Sequence, residues 1–545
     1  MFETNNDDVE NGGAEKELVA GGPSQRNWKG VGIACLVILF ICSLIAAAVF
    51  LLTPNKDLKI NGTKFNLSDL LLPKVSLFDA QATWLSAHVL SFRDENRTVW
   101  KLKFSTHDDV QNSTVKYTTE KLLDVELTSK YYKWILSPDA KYAAMFSLKQ
   151  KHTRRSSSKV VHIFETQTSS HKILNGGRPI MLFKWAPISY PAALAFVDEN
   201  NNLWYQKDAF DPDSLIQITH TGSEDIFNGI SDWLYEEEIF ESPVGLFFSK
   251  TGTKLAYVTI NDTRVRKISF DIYSDSDNYP ETQSIPYPKV GELIPTITLN
   301  VHFLNQSLVI DNYHRKRATD LPIDKTIILK PPKDVEQLGE YYLINGNWIS
   351  NSKKDAEIFV AVWSNRVQNV SYFSTCQVPN RFKGDTIQCE LDYTHHYLNN
   401  WITPSLLRME FSTDEKYFII LPQKMSDGYN YAHLASINYS SNSRVIPRGI
   451  TTGLWEVTSI VGLNSQKETL YFIAAYPTPN ARHLMSVSLT GKLPTVSQCL
   501  TCHMPKNQCN SFGAEFSPNA DYFVLSCHGP GVPKTFLMST KNETS

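Results

Sequence analysis

The longest unbroken hydrophobic run lies near the start of the chain, where Gly30 to Leu52 is 23 residues without a charge. As a helix it is about 34 Å long, enough to cross a hydrocarbon core of about 30 Å. A transmembrane helix is therefore expected over 30–52. A cleaved signal peptide fits less well, because the run is long, starts far from Met1 and is followed by Thr53-Pro54 rather than a small-residue cleavage pattern. Beyond it the pattern changes to short β-branched and aromatic runs broken by Gly, Pro, Asn and Asp. No long amphipathic helical period competes, so the remainder reads as all-β.

A unit recurs within that remainder: a hydrophobic or aromatic residue, a Ser-Pro-Asp-like turn, then a short strand. Its clearest copies begin at Leu136-Ser137-Pro138-Asp139, Phe248-Ser249, Phe411-Ser412 and Phe516-Ser517-Pro518-Asn519, and degenerate ones stand at Trp84-Leu85, Trp185-Ala186, Trp348-Ile349 and Leu463-Asn464. The second residues of these copies fall at 85, 137, 186, 249, 349, 412, 464 and 517. A repeat of about 50 residues in strand-rich sequence is what four-stranded propeller blades produce, since each blade buries its faces only against its neighbours. A two-sheet sandwich would show turns without that longer period. Eight copies predict an eight-bladed β-propeller over 79–540, after a tail (1–29), the span (30–52) and a stalk (53–78). The one long spacing, 249 to 349, predicts an insertion near 259–290, where Asn, Asp, Pro and Tyr replace a regular strand pattern.

Charge alters this picture little. The formal net charge is -3, and the tail before the span carries all of it, leaving a balanced remainder that offers nothing to nucleic acid. The glycosylation acceptors are more informative: Asn61, Asn66, Asn96, Asn112, Asn261, Asn305, Asn369, Asn438 and Asn542 all lie after the span. They place the C-terminal side outside, as in a single-pass type II protein of the plasma membrane in contact with the lipid bilayer. Of the cysteines, Cys35 and Cys42 lie within the span, and Cys376, Cys389, Cys499, Cys502, Cys509 and Cys527 form two late clusters. An oxidising compartment favours disulfides there; Cys499-x-x-Cys502 with His503 beside it also admits a zinc site. No cofactor is called for.

At Asp232-Trp-Leu-Tyr-Glu-Glu-Glu-Ile239 the sequence resembles the glutamate motif of the dipeptidyl peptidase IV family. Similar to the same family are Glu224-Asp-Ile-Phe-Asn-Gly-Ile230, Tyr287-Pro-Lys-Val-Gly291 with Pro295-Thr296, Trp455-Glu-Val457, the Cys499-Leu-Thr-Cys502 cluster and Gly529-Pro-Gly-Val-Pro533. The resemblance runs from about residue 70 onward. The anchor, Gln25-Arg-Asn-Trp-Lys-Gly30 through Pro54, looks most like the dipeptidyl-peptidase-like 6 and 10 branch, whose members lack peptidase activity and serve A-type voltage-gated potassium channels as auxiliary subunits. A cysteine pair that the family carries between 420 and 445 is replaced here by Ala432, His433 and Ser443.

The resemblance implies that Glu237 and Glu238 hold the N-terminal amine of a peptide. Two carboxylates suit that task, since at about 4 Å an ammonium gains roughly 4 kcal/mol from each at an effective dielectric near 20. An arginine for a peptide carbonyl, carried over without gaps from Ser137, falls on Arg154. The family's nucleophile sits in a Gly-x-Ser-x-Gly elbow of an α/β-hydrolase; no such elbow occurs in this sequence, and that domain is expected to be absent. His395, His396, His503 and His528 are then loop or packing residues. Two functions follow as expectations. One is a non-catalytic binding or channel-auxiliary protein. The other is the front part of a serine-type dipeptidyl aminopeptidase that binds peptides with a free N-terminus. The family's propeller arm would correspond to the insertion, giving at most a weak homodimer.

Overall fold

The computed structural model describes residues 26–52, 66–71, 80–104, 117–168, 170–187, 192–273, 278–304, 325–349, 356–397, 400–407, 409, 411–413, 416–439, 445–491, 493–505 and 507–540. The chain divides into two units, Met1–Ser76 and Leu77–Ser545. In the first, the apolar run forms a helix over Trp28–Leu52, two residues earlier than its uncharged core, and every residue of it is exposed. A bare apolar helix of this length cannot remain in water and fits a membrane span. Of the expected stalk only 66–71 is described, with a short helix at Leu67–Leu71.

The second unit is almost wholly antiparallel sheet. Successive meanders run from Thr83–Ser86 to Tyr117–Leu123, from Lys133–Leu136 to His171–Ile173, and from Ile180–Trp185 to Leu215–Gln217. A single residue pair, Lys159 with Ile180, merges the second and third into one sheet. A fourth meander, Ile226–Asn228 to Lys325–Lys330, also takes Thr386–Gln388 as a parallel edge. Further meanders follow over Tyr341–Ile349 to Glu390–His396, Lys416–Lys424 to Arg448–Gly449, Glu456–Asn464 to Gln498–Cys499, and Cys509–Phe516 to Lys534–Ser539. The buried strands are continuously apolar, as in Ala143–Phe146, Leu194–Val197 and Ile358–Trp363, because sheets that stack on both faces leave no solvent side.

Seven of the recurring turns lie at the end of a strand, as at Leu246–Phe248 before Lys254–Asn261, and the one at 412 precedes Lys416–Lys424, where Ser412 makes an isolated bridge with Tyr417. Its chemistry repeats too. Ser137 Oγ donates to Asp139 Oδ1 (2.7 Å) and accepts from the Tyr142 N–H (3.0 Å). Ser517 Oγ donates to Asn519 Oδ1 (2.9 Å) and accepts from the Tyr522 N–H (3.2 Å). Ser249 Oγ accepts from the Lys254 N–H at 3.2 Å. The residue that closes the turn is left-handed in all three, with φ of 61° at Ala140, 72° at Gly252 and 54° at Ala520. An alanine there costs about 1 kcal/mol in backbone sterics, which the capped serine and the buried methyl offset.

Between meanders a second contact repeats in register. Trp185 Nε1 donates to the Ile135 carbonyl (3.1 Å), and Trp348 Nε1 donates to the Phe247 carbonyl (2.9 Å). In both pairs an indole one residue before its own turn position meets a carbonyl two residues before the previous one. Trp84 Nε1 makes the same bond to the Glu515 carbonyl at 2.9 Å, which joins the first meander to the last. Phe104 stacks on Tyr522 beside it, with centroids 4.4 Å apart. Lys254, 1% exposed, adds a polar tie from the fourth meander to the fifth, bonding Glu357 Oε2 at 2.7 Å and Asn380 Oδ1 at 2.8 Å.

The insertion corrects one expectation. Its first residues, 259–261, complete the strand Lys254–Asn261, and the segment beyond them holds a regular hairpin, Lys267–Ile272 with Glu281–Pro286. Most of the hairpin is exposed on both faces, so no apolar alternation advertised it. A chain held together by register-equivalent indole bonds predicts equal cost at each. Trp84→Phe and Trp185→Phe should each lower stability by about 1 kcal/mol. Thermal unfolding of the two variants checks this; a silent Trp84→Phe beside a destabilising Trp185→Phe counts against it.

Candidate functional site

The acidic motif leaves the sheet as a short helical turn. Asp232 starts it, its carboxylate accepting from the Leu234 N–H (3.1 Å) and the Tyr235 N–H (3.0 Å). A single π-helical turn follows over Tyr235–Ile239. Such turns are uncommon and cluster at functional sites. The fully buried Tyr235 anchors it, its hydroxyl accepting from the Leu343 N–H at 3.3 Å. Trp233 packs on Tyr287 with centroids 4.5 Å apart, which brings together two of the motifs singled out in the sequence.

On a helical turn successive side chains fan outward instead of sharing a face. The three glutamates therefore meet different surroundings: Glu236 is buried, Glu237 half-buried and Glu238 exposed. Glu236, which the sequence reading passed over, faces the hairpin turn at 152–156. Its Oε1 accepts from the Thr153 hydroxyl and from the Arg155 N–H (2.8 Å). Arg155 Nη1 returns to the Glu236 carbonyl (3.0 Å) and to Glu237 Oε2 (3.2 Å). Arg154 stands farther out, its side chain 75% exposed and 3.7 Å from the same Glu237 oxygen. The structure thus brings Glu237 and both arginines together, with Arg155 rather than Arg154 making the shorter contact. Glu238 has a solvent-facing carboxylate beside them. The site can hold a cation at Glu238 and Glu237, with the two guanidiniums offering donors to a carbonyl or carboxylate.

Beneath it lies a group of carboxylates that periodicity could not disclose. Asp262 follows the strand Lys254–Asn261, is 1% exposed, and among the described residues has no hydrogen-bond partner on either carboxylate oxygen. Its N–H donates to the Asp225 carbonyl at 2.8 Å. Burial, then the charges of Asp232 and Asp225, push the Asp262 carboxyl up to about 8 against a downward pull from Lys267. Burial, with Glu236 adding to it, raises Asp232 to about 6 despite its backbone hydrogen bonds. Lys267 pairs with Asp225 at 2.7 Å. In the sequence Asp262 had appeared only as the middle residue of a glycosylation triplet.

The six cysteines that follow the apolar helix are oxidised, as Cys376–Cys389, Cys499–Cys502 and Cys509–Cys527. Where the family carries further cysteines, the buried His433 bonds Thr451 Oγ1 through Nδ1 and the Gly453 carbonyl through Nε2, both at 2.9 Å. Asn66, Asn96 and Asn438 are exposed acceptors, while Asn261 and Asn369 are half-buried. Asn61, Asn112, Asn305 and Asn542 lie outside the described residues.

Taken together, these features define a class: a repeated antiparallel β protein behind an apolar helix, with an arginine-latched acidic turn. The family described as "Dipeptidyl peptidase IV (DPP IV) N-terminal region" matches residues 137–534. Inactive dipeptidyl peptidase 10 of Rattus norvegicus is 32% identical over 537 residues, covering 97% of this chain and 62% of that protein. Dipeptidyl peptidase 4 of Bos taurus is 27% identical over 530 residues, covering 95% of this chain and 63% of its own. The crystal structure of Porphyromonas gingivalis dipeptidyl peptidase 4 shares the fold with a TM-score of 0.66 at 19% identity, over 88% of this chain and 61% of that one. The chain belongs to the dipeptidyl peptidase IV family, and it spans less than two thirds of the length of these relatives.

The buried carboxylates make stability depend on pH. The folded chain keeps a proton on Asp262 up to about pH 8, whereas the unfolded chain releases it near the ordinary aspartate value of about 3.9, so stability falls as pH rises between the two. Asp262→Asn should remove that loss and exceed the parent at pH 8.5 by on the order of a few kcal/mol, the two converging below about pH 4. Urea unfolding across this range is the measurement, and parallel pH profiles for the two proteins count against it.

Proposed function

We propose that this protein is a membrane-anchored binding member of its family that performs no peptide hydrolysis, and that it serves an A-type voltage-gated potassium channel as an auxiliary subunit at the plasma membrane. The observation that carries this reading is the 32% identity, over 97% of the chain, to a relative named inactive dipeptidyl peptidase 10.

In this reading the span 30–52 crosses the bilayer and packs on the channel, with residues 1–29 in the cytoplasm. The part from 79 to 540 stands outside as an eight-bladed propeller. Supporting the ring are the eight turn signals at strand junctions and the Trp84–Glu515 bond, which repeats between the last and first meanders a contact made elsewhere between neighbours. Supporting the outward face are the disulfides and the acceptor asparagines, all of which follow the helix. The exposed hairpin of the insertion offers an edge for weak homodimers.

A second reading rests on the exposed Glu238 beside the arginine-held Glu237: a site for a peptide with a free N-terminus, as in the substrate end of a dipeptidyl aminopeptidase. Glu237 and Glu238 would take the amine, Arg154 a peptide carbonyl, and Arg155 would position Glu237.

Co-expression of the full chain with an A-type channel should give a complex that copurifies and shows faster inactivation and recovery. Exchange of 30–52 for an unrelated apolar helix should abolish both. Unaltered currents with the protein present at the cell surface would refute the channel role. For the second reading, a peptide with a free amine should bind the full chain more than about tenfold tighter than its acetylated form, a difference that Glu238→Gln removes. Equal binding of the two peptides rejects it.

A further inference from the structure

The three disulfides differ in accessibility. Cys376, Cys389, Cys509 and Cys527 are all buried, whereas Cys499 and Cys502 are each half-exposed. Thiol–disulfide exchange requires a thiolate to reach a sulfur, so Cys499–Cys502 is the bridge open to attack. It also closes the shortest loop, with a sequence separation of 3 against 13 and 18, so its loss relaxes the unfolded chain least.

Beside this bridge stands a histidine that the sequence did not suggest. His503 adjoins Cys502 in the chain and is exposed, yet the ring brought to the sulfurs is that of His483. The strand pairing explains it. The short strand Gln498–Cys499 runs antiparallel to His483–Ser488, with Cys499 opposite Met485. The ladder continues as the Leu500 N–H donates to the Leu484 carbonyl (2.9 Å) and the Leu484 N–H to Thr501 Oγ1 (3.1 Å). Thr501 therefore sits across from His483, and the two sulfurs flank it. One ring nitrogen of His483 and the sulfurs of Cys499 and Cys502 all lie within 4.8 Å of one another. His483 Nδ1 bonds Thr501 Oγ1 at 3.0 Å, and its ring packs against Phe512 with centroids 5.4 Å apart. A histidine ring that is tied through Nδ1 to an oxygen and lies beside a pair of sulfurs has the outer-shell arrangement of a metal ligand.

We propose that Cys499–Cys502 is the oxidised state of a redox-gated site for a thiophilic divalent cation such as Zn²⁺, with Cys499, Cys502 and His483 as its ligands. The gate opens by exchange with a dithiol of the thioredoxin class. One thiolate of the donor attacks a sulfur of the bridge to form a mixed disulfide, and the second donor thiol then displaces it. Two electrons pass to the chain, the donor leaves as its cyclic disulfide, and Cys499 and Cys502 remain as thiols. The cation replaces the two thiol protons, which are released, and takes a ring-nitrogen lone pair of neutral His483. Two thiolates cancel its charge, and a water completes four-coordination. In the oxidised state neither sulfur carries the charge needed to bind it.

The test uses the full chain in detergent, treated briefly with a dithiol, desalted, and titrated with Co²⁺. Alkylation and mass analysis of the same sample should show Cys499 and Cys502 reduced and the other four cysteines still bridged. The reduced chain should take up one Co²⁺ with thiolate-to-metal charge-transfer absorption, which Zn²⁺ abolishes, and the oxidised chain should show none. Cys499→Ser, which leaves the buried core intact, should lose the absorption. Thr501→Val, which keeps all three ligands but frees the ring, should weaken uptake by about tenfold or more. The proposal is overturned by absence of the absorption once both thiols are shown to be free, by equal absorption in Cys499→Ser or in the oxidised chain, or by prior reduction of a buried bridge.

Discussion

An indole N–H reaching to a carbonyl in the strand that ends at the previous recurring turn is the contact on which the architecture rests. Sheets of a few strands cannot bury their faces alone, and clusters of buried side chains here join successive meanders. The apolar faces supply most of the stabilisation, but apolar contact is non-directional and would tolerate sliding. The hydrogen bonds of Trp185 and Trp348 remove that freedom, because a slip of one residue would turn the indole to the other face and strand a carbonyl in the interior. With Trp84 making the same bond to Glu515, the first and last meanders are set by the rule that sets the middle ones.

The acidic turn depends on that placement from both sides. Asp232 caps it and Tyr235 fixes it to the backbone at Leu343. The residues that saturate Glu236 and engage Glu237 arrive from a hairpin tip some eighty positions earlier, at Thr153 and Arg155. The turn therefore keeps its shape only while the second meander holds station. Its electrostatics follow from the same crowding. Burial keeps the carboxyls of Asp232 and Asp262 from ionising in the ordinary range, with the charge of Glu236 adding at the first and those of Asp232 and Asp225 at the second, whereas Glu238 is exposed. Acidic and basic groups of the turn thus stand beside two buried aspartates whose carboxyls hold their protons to higher pH than usual.

Local chemistry made much of this legible in the chain. The apolar run announces the helix because nothing but length and absence of charge is needed for a span. The Ser-Pro-Asp turns announce the strand junctions because the serine hydroxyl caps its own hairpin, so every partner lies within five residues, as at Ser137 and Ser517. The acidic motif was legible for the same reason: its spacing is local and its flanking aromatics are adjacent to it.

What lay beyond the sequence was every relation that requires two distant segments. By itself the chain determined an apolar span, a β class, a turn repeat near fifty residues and the candidacy of Glu237 and Glu238, all of which depend on near neighbours. Only the tertiary structure decided that Arg155 reaches Glu237 more closely than Arg154, since consecutive residues in a turn point to different sides. It alone put His483 rather than the adjacent His503 beside Cys499, because strand pairing overrides proximity along the chain. And it alone buried Asp262 among other carboxylates, for desolvation is a property of what packs around a residue and not of the residue or its neighbours in sequence.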